Sequence, residues 1–193
     1  MRGTHHSPPT TAPPAGWTGV TTALVVGAGV AVALGALGRA LTPEYRALDG
    51  FGFSDNLTFK TWLASGVLVL AAGQLLTALW MYGRLPFVRR APNRLPRVHR
   101  TLGVTAFLLT LPVAFCCLFA YGFAPAPMTA RTLTHSILGC LFYGAFAVKV
   151  MAVRSRRTPA WALPVVGGLL VALVVLLWMT SALWFFQTTG VHT

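Results

Sequence analysis

The chain has 193 residues, of which 55% are hydrophobic and only 9% charged, against about 25% charged in an ordinary soluble domain. Three acids, Glu44, Asp49 and Asp55, stand beside fifteen Lys and Arg. That composition excludes a self-solvating soluble domain, and the net charge of +12 is gathered into short loops between apolar runs rather than into a nucleic-acid-binding motif.

Residues 1–16, rich in Pro, Thr and Ser, read as a disordered tail in which His5 and His6 lack further ligands. A first span is predicted over about 17–37, with Gly27, Ala31 and Gly35 at four-residue spacing as a stripe for close helix approach. The following loop holds all three acids. A second span is predicted over about 58–82. Six arginines (Arg84, Arg89, Arg90, Arg94, Arg97, Arg100) and three prolines then make a basic loop that discourages helix. The third span, about 99–121, carries Pro112 as a kink; a Pro-containing turn at 122–128 leads into the fourth, about 131–153. The fifth, about 161–186, has no ionisable group, and 188–193 form a short C-terminal tail.

The fold class expected is therefore all-α, a polytopic bundle of five transmembrane helices in the cell membrane, with domain limits 1–16, 17–187 and 188–193. Placing the N-terminus inside puts eleven basic residues on the inner side and four on the outer, which favours N-inside. The basic loops also suit anionic membrane lipids.

Polar groups inside a bilayer are costly, so they are the functional candidates. Lys60 and Lys149 lie near span ends and are expected to snorkel. Gln74 suits an interhelical hydrogen bond. Cys116, Cys117 and Cys140 fall inside apolar segments and read as packing residues rather than a disulfide framework. His135 is the strongest candidate. Arg131, His135, Gly139 and Tyr143 recur every fourth residue and share one helix face. An imidazole with a glycine one turn away leaves room for a flat macrocycle, and Arg131 suits a propionate; a hydrogen bond to a neighbouring helix is the alternative. His99, with Gly103 one turn later, begins a small-residue stripe at the other end of span three. About 22 residues of helix place it roughly 30 Å from the outer boundary, near which His135 lies, so the two cannot share one metal. Cys116 lies level with His135 and is the candidate opposite ligand, although an uncharged buried thiol is the simpler reading.

The run His99-Arg100-x-x-Gly103, then Pro112-Val113-Ala114, then His135-Ser136-x-x-Gly139-Cys140-x-x-Tyr143-Gly144 resembles a group of small actinobacterial membrane proteins of unassigned function. Those resemble in turn cytochrome b561 and ferric-reductase-type haem proteins. The likeness covers about residues 55–187. It implies haem b, one-electron transfer, and a quinone or Rieske-type partner. In that group a histidine stands shortly after the Pro-Val-Ala run, where this chain has Cys116; the difference leaves His/Cys ligation, a five-coordinate haem or a lost site.

Two functional classes follow. The first is a b-type-cytochrome-like electron-transfer subunit, with His135 and Cys116 as metal ligands, Arg131, Gly139 and Tyr143 around the cofactor, and His99 with Gly103 serving a second, inner site. The second is a non-catalytic accessory or assembly subunit, docking through the small-residue stripes of spans one, three and five. Three acids confined to one loop leave no intramembrane carboxylate relay, which argues against a self-contained pump or transporter.

Overall fold

A computed structural model describes residues 15–44, 55–86, 88, 91–155 and 158–190. The helices are α1 (Ala15–Ala40), α2 (Asn56–Met81), α3 (Leu95–Phe115), α4 (Ala130–Arg154), α5 (Ala162–Trp178) and α6 (Trp184–Thr189). A π-helical segment, Cys116–Tyr121, prolongs α3, and another, Met179–Leu183, joins α5 to α6. Five continuous stretches result, of 23 to 28 residues, each apolar enough to cross a membrane. At 1.5 Å per residue they reach about 35–42 Å, more than the roughly 30 Å of hydrocarbon. The chain is an all-α, multi-pass membrane protein.

The helix ends follow local chemistry. Asp55 caps α2, its Oδ1 accepting from the backbone N–H of Leu57 (2.6 Å) and Thr58 (2.9 Å). Thr129 and Thr132 form a reciprocal capping box at the start of α4. Helix α3 begins at Leu95 rather than near His99, because Pro96 sits in the first turn, where a missing N–H costs nothing. The tail read at 1–16 lies outside the described residues up to position 14, and Ala15 and Gly16 already belong to α1. Of the C-terminal tail, Thr188 and Thr189 extend α6 and 191–193 lie outside the described residues.

Helix α1 packs on α4, α4 on α5, α5 on α2 and α2 on α3. The ring therefore runs α1–α4–α5–α2–α3, not in chain order. The stripe on α1 is used within the bundle. A Cβ at Gly27 would meet the carbonyl oxygen of Gly144 at 2.7 Å, and one at Gly144 would meet that of Gly27 at 2.5 Å. The two backbones touch there, as small residues at a membrane helix crossing allow. Helices α3 and α4, consecutive in the chain, meet through long side chains instead. Phe107 stacks on Phe146 (4.0 Å, 8°), and the Tyr143 hydroxyl donates to the Thr110 carbonyl at 3.0 Å. Below that bridge Val67, Ala71, Phe142, Ala145, Leu170, Leu173 and Val174 close the core. Above it, at the end carrying the α3–α4 turn, the helices leave a cavity.

Candidate functional site: a five-helix cavity around His135

The cavity measures about 310 Å3 and is lined from all five spans, from Leu34 on α1 to Trp184 on α6. Its walls are mainly aliphatic and aromatic, with a few convergent polar groups, the usual make-up of a small-ligand or cofactor site of roughly 300–1,000 Å3. Arg131, His135, Gly139 and Tyr143 all line it, so the four-residue periodicity of α4 delivers one face to one space. A Cβ at Gly139 would meet nothing within 4 Å, which marks that turn of α4 as fronting open volume.

The hydrogen bonds favour one tautomer of His135. Its Nδ1 lies 2.9 Å from Thr180 Oγ1. The single hydroxyl proton of Thr180 goes to the Leu176 carbonyl at 2.8 Å, the ordinary back-bond of a helical threonine. With that proton so used, the hydroxyl oxygen is free to accept from His135 Nδ1–H, the tautomer in which Nε2 is the acceptor nitrogen. That Nε2 faces the Cys117 sulfur at 4.0 Å. An imidazole held by Nδ1–H with Nε2 open is the arrangement found in metal-ligating histidines.

Cys117, not Cys116, faces His135. Cys116 is 1% exposed, and the cavity lining omits it and includes Cys117. The π-helical segment begins at Cys116 itself, four residues after Pro112, and its wider turn shifts the register of every following side chain. A position chosen by membrane depth on a regular helix therefore misses by one residue.

Lys60 is 8% exposed and turns into the bundle, contrary to the snorkelling expected of it. Its ammonium donates to Cys117 Sγ at 3.8 Å and lies 4.7 Å from the centroid of the Tyr121 ring. Opposite, Arg131 Nη1 donates to the Thr180 carbonyl at 2.8 Å, and its guanidinium sits 3.8 Å above the Trp184 ring. The second π-helical segment explains that contact: widening the turn leaves backbone carbonyls without regular partners, and Thr180 lies inside it. Tyr121, Lys60, Cys117, His135, Thr180, Arg131 and Trp184 thus form a polar arc across one end of an otherwise apolar cavity. Sequence reasoning missed Lys60, Cys117 and Thr180. Only Lys60 carried a signal, since Leu57, Lys60, Ala64 and Val67 share one face of α2 and all line the cavity.

His99 and Gly103 lie at the far end of the bundle, outside this cavity. His99 Nδ1 is 2.8 Å from Thr77 Oγ1, which donates to the Gly73 carbonyl at 2.8 Å. The Gln74 amide donates to the His99 carbonyl, the interhelical hydrogen bond expected of it. Its side chain occupies the space beside Gly103, where a Cβ would meet it at 3.2 Å. That glycine makes room for Gln74 rather than for a macrocycle.

Neither the curated proteins nor the solved structures include a match to this chain. One family model does match, over residues 20–193, a stretch that contains every residue lining the cavity. The chain accordingly belongs to the DUF6529 family, described as a family of unknown function.

Proposed function

We propose that the cavity holds haem b with His135 as axial ligand, and that the protein is a b-type-cytochrome-like subunit for one-electron transfer. The observation that carries this reading is His135 itself: its Nδ1 is held by Thr180, and its Nε2 faces the Cys117 sulfur inside a cavity with open space at Gly139. The donor set fits a haem in three further respects. Cys117 stands 4.0 Å from Nε2 and would supply a second donor, a sulfur of the kind haem iron accepts. Arg131 and Lys60 supply positive charge at one edge for propionates. Among the described residues no group of three or more His, Cys, Asp or Glu could hold a metal ion, so an iron bound here would need ligands of its own, which a porphyrin brings.

When bound, the haem would supply a one-electron couple within the membrane. The chain's own residues would orient and insulate it. Thr180 keeps the His135 ring in place and its proton on Nδ1, the kind of outer support that holds ligand geometry. Phe142, Val174, Leu177 and Trp178 keep water from the cavity, and Tyr143 closes its floor through Thr110. A quinone or a Rieske-type protein is the redox partner that the resemblance to cytochrome b561 and ferric-reductase-type proteins implies.

The accessory-subunit reading loses part of its support. The α1 stripe is packed on α4, and Ala114 and Cys117 of the α3 stripe line the cavity. Of the three stripes named, that of Gly168 and Ala172 on α5 stays exposed. Oxidised and dithionite-reduced absorption spectra of the purified protein test the proposal. A Soret band with a reduced α band, lost in His135→Ala and kept in His99→Ala, supports it. An unchanged spectrum in His135→Ala refutes the ligation.

A further inference from the structure

The two cations of the polar arc carry information about the ligand that is independent of iron ligation. Lys60 is more than nine-tenths buried, and its ammonium has three donors. Its partners are a thiol sulfur, a weak acceptor, and the face of Tyr121. Arg131 has five donors and sends one to the Thr180 carbonyl. Among the described residues the acids are Glu44 and Asp55; neither forms an ion pair with Lys60 or Arg131, and Asp55 caps α2. A positive charge in hydrocarbon without an anion is costly, and here two line one small cavity.

Their placement is complementary. Lys60 of α2 is held against α3, at Cys117 and Tyr121, while Arg131 of α4 is held against α5 and α6, at Thr180 and Trp184. Each cation thus bridges one of the two helix pairs that flank the cavity, and His135 lies between them. Their contacts leave several N–H donors for a third party. The aliphatic walls beyond, among them Leu34, Val67 and Leu177, receive an apolar body.

We infer that the cavity selects an amphiphile bearing acid groups at one edge, with Lys60 and Arg131 as its two anchors. This names the head-group chemistry of the ligand whether its apolar body is a porphyrin or an acyl chain. It rests on the cavity and not on iron ligation.

The test titrates four probes into detergent-purified full-length protein, read by quenching of tryptophan fluorescence, since Trp178 and Trp184 line the cavity. The probes are haemin, haemin dimethyl ester, a long-chain fatty acid and its methyl ester. In wild type an acid should bind about tenfold or more tighter than its ester, the scale of a charge-assisted contact. The ratio should fall towards one in Lys60→Met with Arg131→Met, and persist in Lys60→Arg. Methionine keeps the apolar stem, and thermal midpoints of the variants report whether folding is retained. An acid preference within the haemin pair places the acid groups on a porphyrin. A preference within the fatty-acid pair, with neither porphyrin bound, sustains the inference and removes the haem reading. Equal affinity of acid and ester in both pairs, or no binding by any probe, overturns the inference. Where both porphyrins bind with equal affinity and the fatty-acid pair shows no preference either, the inference falls and the haem reading stands.

Discussion

Two glycines of α4, five residues apart, should respond to the same substitution with opposite signs. At Gly139 an added Cβ would meet nothing within 4 Å, whereas at Gly144 it would meet the Gly27 carbonyl oxygen at 2.5 Å and the Ala31 Cβ at 3.1 Å. Gly139→Ala removes a flexible residue from mid-helix, a gain of up to about 1 kcal/mol. Gly144→Ala collects the same gain but must push α1 off α4, and overpacking of that kind costs about 1–3 kcal/mol. The net change expected is zero to a loss of about 2 kcal/mol. With about 2–4 °C per kcal/mol for a chain of this size, Gly139→Ala should raise the melting midpoint by up to about 4 °C and Gly144→Ala should lower it by up to about 8 °C. Thermal unfolding in one detergent, followed by loss of the monodisperse peak, measures both. Equal shifts of the same sign would refute the backbone contact between α1 and α4.

Replacing Thr180 by Val removes the acceptor that fixes His135 Nδ1–H; haem affinity should fall about 10–100-fold and recover in Thr180→Ser, measured by haemin titration. Cys117 should react with a small maleimide far faster than Cys116 in single-cysteine variants, followed by mass spectrometry, because one lines the cavity and the other is 1% exposed. Similar rates would refute the register shift of the π-helical segment. Filling the open space with Gly139→Leu should leave the fold intact and abolish ligand binding, read by thermal midpoint and titration together.

Much of this molecule was legible in its sequence, for physical reasons specific to membranes. Hydrocarbon demands long apolar helices, so the five spans stand out by composition and length. The 3.6-residue period of α4 placed Arg131, His135, Gly139 and Tyr143 on one face, and all four line one cavity. The helix order did not follow from the chain, because a short turn makes α3 and α4 antiparallel while they meet through long side chains, and the close backbone approach of α4 is to α1. Cys117 and Thr180 were hidden by two π-helical segments, which alter the period that sequence reading relies on. Lys60 was assigned to the interface because long cationic stems usually reach it. Here the stem turns inward beneath Tyr121.

Haem stoichiometry tests the central claim most directly. Pyridine-haemochrome analysis of protein purified from haem-sufficient cells should give about one haem per chain in wild type and in His99→Ala, as expected for a single axial site at His135. His135→Ala should give none while retaining a monodisperse, folded profile. Wild-type protein without haem, or an undiminished ratio in His135→Ala, would contradict the account.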